Sequence, residues 1–333
     1  MATLYLNEQQ SIVKKRDGYL IVQYPPPDQR KIEVPLIKVT QVVISGDITL
    51  TTPAVHTLLE AGIEICYLSM HGHFRGRLSP PVAKNALLRR EQYRAHADPQ
   101  RALQVAQACV KGKLENMRTL LLRSNRQLQD SEVADATATI QRIIREIPRA
   151  STVGSLLGYE GNGSAAYFGV FGKLLRDPMT FSRRRRRPPK DPVNALLSLG
   201  YTLLLHQVSS AIQIVGFDPY AGYLHQPRYG RPALALDLME EFRPIIADSV
   251  VLNIINHRIL TEQDFQEELG VVHLKAEARK KFYAKFEERL QEELQHPHFE
   301  YRTSYRRCIE LQARLLGKWL TGEIPVYLPL SVR

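Results

Sequence analysis

Through the first about 80 residues, apolar and polar positions alternate in short runs, the period of strands that bury one face. Ser11–Arg16 and residues 19–24 flank Asp17-Gly18, a pair that accepts the positive φ of a tight turn, so a β-hairpin is predicted there. Pro25-Pro26-Pro27-Asp28 marks a second turn, followed by an extended run over 31–38. Residues 42–44 and 63–68 read as buried strands. Between them, Thr51 or Thr52 opens a short helix with Pro53 at its first position, and Gly62 stops it. Residues 73–78 are a candidate last strand.

Beyond Pro80-Pro81 the period changes to three and four. Helices are predicted over 87–96, 101–122 and 130–147, the last ended by Pro148. A long charged helix is expected over 275–294, with Phe282, Phe286 and Leu290 four apart. Another spans 305–320 and ends at Thr321-Gly322. The expected fold is α+β: a small N-terminal β-sandwich-like domain over 1–82, then a large all-α catalytic domain over 83–333. At 333 residues the chain can bury two such cores.

Charge adds a partner to this picture. The net charge is +11, and residues 1–84 carry only +2 of it, so the basic excess lies in the helical part. Such a balance favours a polyanionic partner, nucleic acid or an anionic membrane surface, and leaves open a basic enzyme with neither. Cys66, Cys109 and Cys308 are scattered and form no Cys-x-x-Cys pair, which argues for reduced thiols and against a zinc or redox site. The N-terminus lacks a signal-peptide pattern, and no uncharged apolar run is expected to approach the about 20 residues of a membrane span. A soluble, cytoplasmic protein without a membrane partner is expected.

Candidate chemistry concentrates in three segments. On a helix starting near Pro232, Asp237 and Glu240 are three apart and share a face, with Glu241 at its edge. Leu234, Leu238 and Phe242 define a separate core face. That spacing also fits an ordinary solvated face with Glu240 and Arg243 as an ion pair. His225, in Gly222-Tyr-Leu-His-Gln-Pro227, precedes the helix; a lone histidine is often structural, but one imidazole with separated carboxylates suits Mg²⁺ or Mn²⁺. Glu160 stands among Gly158, Gly161 and Gly163, where small residues permit a close backbone or phosphate approach, or simply tight helix packing. The run Arg183-Arg184-Arg185-Arg186-Arg187, with Lys190 beyond two prolines, repels itself and is expected as a solvated loop that orders against phosphates. A nuclear import signal would look the same.

Taken in order, Leu157-Gly-Tyr-Glu-Gly161, Asp191-Pro-Val-Asn-Ala-Leu-Leu197, Gly222-Tyr-Leu-His225 and Leu236-Asp-Leu-Met-Glu-Glu-Phe-Arg-Pro244 resemble the CRISPR-associated integrase, the first of the two core spacer-acquisition proteins. Gln312-Ala-Arg, Leu320-Thr-Gly-Glu and Tyr327 fit the same family, so the resemblance covers essentially the whole chain. It implies a metal-dependent DNA integrase with nuclease activity, with Glu160, His225 and Glu240 as ligands of one Mg²⁺ or Mn²⁺. Asp237 matches a further acid of the site and is an alternative third ligand, because other members carry Asp where this chain has Glu240. Asp191 and Asn194 match a segment that braces the site. The arginine loop would grip double-stranded DNA. The resemblance also implies a homodimer paired through the β domains, and a heterohexamer with the small second acquisition protein in a prokaryotic cytoplasm. Two rival readings remain at this point: a stand-alone metal-dependent nuclease, and a nucleic-acid-binding scaffold without activity.

Overall fold

The computed structural model describes residues 2–80, 85–176, 179, 181, 183–185, 188–226 and 228–332. The alternating runs become β1 (Ala2–Leu6), β2 (Ser11–Arg16), β3 (Tyr19–Gln23), β4 (Lys31–Pro35), β5 (Val39–Ser45) and β6 (Ile48–Leu50). After α1 (Thr52–Glu60) come β7 (Glu64–Leu68) and β8 (Phe74–Leu78). They form two four-stranded sheets, ordered β4-β3-β2-β6 and β1-β5-β7-β8. The predicted hairpin is present with Arg16 opposite Tyr19, and Asp17 and Gly18 both take positive φ. The expected 31–38 strand stops at Pro35; residues 36–38 form a 3₁₀ turn. β1 and β6 were not anticipated. Each pairs in parallel with a strand distant in sequence, β1 with β5 and β6 with β2, and no local turn announces such pairing.

Val13, Leu20 and Val22 of one sheet pack on Leu6, Val42, Ile44 and Ile65 of the other, with Ala54 and Leu58 of α1 beside them. Val43, Cys66 and Leu68 point the opposite way, into the core of the helical part. The central strands β5 and β7 are therefore buried on both faces, which explains their apolar runs over 42–44 and 65–68.

The helical part contains α2 (Ala86–Ala97), α3 (Pro99–Leu128), α4 (Ser131–Glu146), α5 (Val153–Phe171), α6 (Pro192–Val215), α7 (Ala233–Phe242) and α8 (Ser249–Asn256). Two small hairpins supplement the expected all-helical architecture: β9 (Phe265–Glu268) with β10 (Val271–Leu274), then, after α9 (Ala276–Gln291), β11 (Glu293–Gln295) with β12 (Arg302–Ser304). α10 (Tyr305–Leu320) follows, as predicted. The predicted helix over 275–294 yields its last residues to β11. The β-sheet part docks on α6 and α9: Tyr5 stacks on Tyr283 at 4.8 Å, Ser45 Oγ lies 3.0 Å from Tyr283 Oη, and Gln207 donates to Gln41.

α6 corrects one expectation. Its 24 residues contain no Asp, Glu, Lys or Arg and are apolar enough to cross a membrane, yet 72% of its apolar window is buried inside the protein. It is a core helix, with Leu196, Leu197, Leu204 and Ile212 fully enclosed. α7 does not simply stop at Phe242: Arg243–Asp248 continues as a π-helical turn that accommodates Pro244 before α8 begins. A π turn shifts the side chains that follow it around the axis, and such turns recur at functional sites.

Candidate active site

α7 brings two acids to one edge of the helical core. Asp237 is completely buried, and the loop ahead of the helix wraps around its carboxylate. The backbone N–H groups of Tyr223 and Leu224 donate to Oδ2 at 2.5 and 3.0 Å, while the His225 N–H donates to Oδ1 at 2.9 Å. Gly222 makes this wrap possible, because a Cβ there would meet the Ala233 carbonyl carbon at 2.6 Å and Asp237 Oδ2 at 2.7 Å. The His225 Nδ1 stands 2.7 Å from Asp237 Oδ1. The buried carboxylate keeps a proton on Nδ1 and turns Nε2 toward Glu240, 4.0 Å from Oε1. Four donors thus converge on Asp237, two on each oxygen. Its capacity is used in orienting His225, and Glu240 is the carboxylate that remains facing the imidazole.

Glu240 is 3% exposed, so the solvated-face reading of α7 does not hold. Burial alone would raise its carboxyl, but Arg243, Lys113 and His225 together overcome that and pull it down to about 2. Arg243 Nη2 lies 3.1 Å from Oε1, and Lys113 Nζ lies 2.7 Å from Oε2.

Glu160 approaches from α5. A capping box of Thr152 and Ser155 starts that helix, and Gly163 lets it press onto α3: a Cβ at 163 would stand 2.5 Å from Leu114 Cδ2. The close approach sets Glu160 beside Lys113, whose ammonium contacts both Glu160 Oε1 and Glu240 Oε2. Ser164 Oγ also donates to Glu160 Oε1 at 2.8 Å. Glu160, His225 and Glu240 are therefore gathered from three segments, with Asp237 behind the histidine.

The donor set suits a hard divalent ion: two carboxylates and one imidazole nitrogen with its tautomer fixed. Among the described residues, no three carboxylate, imidazole or thiol groups stand close enough in this conformation to share an ion. Between Glu160 and Glu240 the Lys113 ammonium fills the gap. Sequence reasoning missed Lys113. Its signal was present, since Lys113 shares a helical stripe with buried Cys109 and Asn116, where a charged residue needs a partner.

The arginine run divides. Arg183 and Lys190 are exposed, whereas Arg184 turns inward; Arg186 and Arg187 lie outside the described residues. Arg184 Nη1 donates to Asn194 Oδ1 at 2.7 Å, and its guanidinium lies over the Tyr201 ring. Arg184 is thus a packed brace, contrary to its expected place on a solvated loop. Asp191 caps α6 through the Asn194 N–H at 2.8 Å, and buried Asn194 accepts from the Arg185 N–H and donates to the Arg183 carbonyl. These two residues brace the arginine loop and touch none of the acids of the site. The link inward runs through Tyr201, because Arg243 stacks on the same ring at 4.6 Å while pairing with Glu240.

The back of α7 is built differently. Glu241, fully buried, accepts from Tyr327 Oη at 2.5 Å, the Leu330 N–H at 2.9 Å and Gln312 Nε2 at 2.9 Å. Burial pushes its carboxyl up to about 7 against the pull of these bonds. Asn116 donates to the carbonyls of Glu241 and Leu330 and accepts from the Val332 N–H, so the C-terminal segment is tied to α3 and α7 directly behind the site.

Residues 4–288 match the sequence profile of the family described as CRISPR associated protein Cas1. The chain is 40% identical over 333 residues to the CRISPR-associated endonuclease Cas1 3 of Thermus thermophilus, covering 100% of this chain and 98% of that one. It is 42% identical over 332 residues to a CRISPR-associated exonuclease Cas4/endonuclease Cas1 fusion of Geobacter sulfurreducens. That match covers 97% of this chain and 59% of the fusion, so the chain spans little more than half of that relative's length. Among solved structures, a casposase bound to integration product has the same fold, with a TM-score of 0.88 at 22% identity over 99% of this chain and 93% of that one. A Cas1 protein from Thermotoga maritima gives 0.83 at 25% identity, over 99% and 100% of the two chains. A chain of a Cas6-RT-Cas1–Cas2 complex gives 0.82 at 28% identity, over 98% of this chain and 36% of that one. Matched across most of its length by the family profile and along its whole length by a relative at 40% identity, the chain belongs to the CRISPR-associated Cas1 family.

Proposed function

We propose that this chain is a divalent-metal-dependent DNA integrase of CRISPR adaptation, which joins the 3′-hydroxyl ends of a short DNA fragment to the CRISPR repeat by transesterification and also cuts DNA. The observation that carries the reading is the convergence of Glu160, His225 and Glu240 from three segments, with the histidine tautomer set by buried Asp237. Glu160, Glu240 and the His225 Nε2 would hold one Mg²⁺ or Mn²⁺. When bound, the ion lowers the pKa of the attacking hydroxyl and takes up charge on the phosphoryl oxygen.

The protein's own contribution is placement. Asp237 fixes the His225 ring so that one nitrogen faces the site, and Arg243 offsets the charge of Glu240 at Oε1, the same oxygen that faces the imidazole. Arg183 and Lys190, exposed on the braced loop, would hold the DNA backbone through phosphate contacts, which carry little sequence information and weaken as salt rises. Water in place of the 3′-hydroxyl turns strand joining into hydrolysis at the same groups. That chemistry agrees with the endonuclease name of the Thermus relative. The proposed partners are double-stranded DNA, a second copy paired through the β-sheet part, and the small second acquisition protein in a heterohexamer. A Cas2 partner is named for one structural neighbour. The proposed location is the prokaryotic cytoplasm.

The test uses a labelled DNA fragment with free 3′-hydroxyls and a supercoiled plasmid carrying a CRISPR repeat, incubated with the protein, its small partner and Mg²⁺ or Mn²⁺. Label is expected to enter the plasmid with the native protein and not with Glu160→Ala. Plasmid nicking without label transfer favours a plain nuclease. DNA binding with neither reaction leaves a scaffold.

A further inference from the structure

Lys113 takes no part in the reaction proposed above, yet it occupies the centre of the site. Its residue is 2% exposed, and a lysine so enclosed needs anionic partners. Here the partners are Glu160 and Glu240, the same two carboxylates that the metal reading assigns to the ion. The geometry comes from helix packing: α3 packs against both α5 and α7, and Gly163 leaves room for Leu114 between α5 and α3. One position between two carboxylates cannot hold an ammonium and a divalent ion together, because like charges a few ångströms apart repel.

Resting on the metal reading, we propose that Lys113 is a positioning residue and a built-in competitor of the metal. Its ammonium holds Glu160 and Glu240 together before a divalent ion binds, and it must leave them for the ion to bind. Without Lys113 the two carboxylates repel each other, which destabilises the metal-free protein and strengthens its attraction for a divalent cation. Exchange at this position sets the affinity of the site and keeps its ligands gathered while they wait. Both effects come from one charge, so a neutral residue of similar length removes them together.

The experiment is Mn²⁺ binding by calorimetry on the full-length protein without DNA, for the native chain, Lys113→Met, Lys113→Arg and Glu160→Gln. Thermal melting in chelator and in Mn²⁺ accompanies it. Lys113→Met is expected to bind Mn²⁺ at least about tenfold more tightly than the native chain. It should melt lower in chelator and gain more from Mn²⁺. Lys113→Arg keeps the charge and should bind no more tightly than native. If Lys113→Met does not fold, Lys113→Gln replaces it with the same expectation. Equal or weaker Mn²⁺ binding by the neutral variant, with native binding abolished by Glu160→Gln, overturns the role of Lys113 alone. Native binding that survives Glu160→Gln, or no binding by any variant, overturns the metal reading and this inference with it.

Discussion

Glu240 and Glu241 are neighbours on one helix, both buried, and they meet opposite environments. Glu240 faces Arg243, Lys113 and His225 and is held at about 2. Glu241 faces a phenol, an amide side chain and a backbone N–H and is raised to about 7. Burial acts on both in the same direction; what separates them is whether the neighbours carry charge or only donate hydrogen bonds. The front of α7 is thus a charged site built on paired acids and bases, and the back is a latch of hydrogen bonds that secures the C-terminal segment. Two adjacent acids of one motif can therefore belong to different functions, and a spacing rule cannot tell them apart.

The comparison breaks most visibly in activity. Glu240→Gln preserves size and removes the charge, and on the proposed metal reading it is expected to lower strand joining on the order of 10³-fold, since a metal ligand supplies several kcal/mol to the transition state. Glu241→Gln, matched in shape and one residue away, should lower the rate per folded molecule by less than about fivefold. Rates measured on samples normalised by circular dichroism decide the matter. Equal losses from both would mean that front and back form one unit.

Stability should show the reverse order. Glu241→Ala strands the Tyr327 Oη hydrogen and the Leu330 N–H, and each stranded buried donor costs about 1–3 kcal/mol. A loss of about 3 kcal/mol or more is expected in urea unfolding, with C-terminal amides near Leu330 exchanging faster. An unchanged urea midpoint would dissolve the latch.

Much of this contrast was legible in the residues, up to a definite point. Gly222 to His225 and Asp237 to Glu240 were readable because a loop ahead of a helix and a three-residue helical spacing are local. Their burial was not, since the same spacing fits a solvated face. Glu160 is marked as a candidate by its glycine-rich setting, but its place in one ligand set with them comes from the family resemblance, because nothing local ties residue 160 to residue 240. Gln312 and Tyr327 belong to that pattern, but their hold on Glu241 depends on α10 and the C-terminal segment returning to α7. Lys113 escaped because α3 is rich in exposed charges such as Lys111. Only its stripe, shared with Cys109 and Asn116, marks it as inward. Arg184 was grouped with its neighbours in a run that reads as uniform, whereas Asn194 and Tyr201 select it for the interior. In each case the missing information is tertiary.

The smallest expected effect is the sharpest discriminator, because the two glutamates give pH dependences of opposite sign. Glu240 is depressed below its ordinary 4.5, so its contribution to stability is present above that value and is lost as pH falls toward about 2. Glu241 is raised, so the folded state binds its proton more tightly than the unfolded chain. Its contribution is complete below about 4.5 and is lost as pH rises through about 7. Asp248, raised to about 6 by burial against its bonds from Tyr201 and Tyr167, acts with the same sign at lower pH. His206, lowered to about 4 by burial, acts with the opposite sign. The readout is therefore the difference between native protein and Glu241→Gln, not the curve of either. Between pH 6 and 8 the native chain should lose about 1 kcal/mol that the variant does not. Parallel urea midpoints over that interval would mean that Glu241 is ionised throughout, and that the two faces of α7 differ in geometry but not in charge.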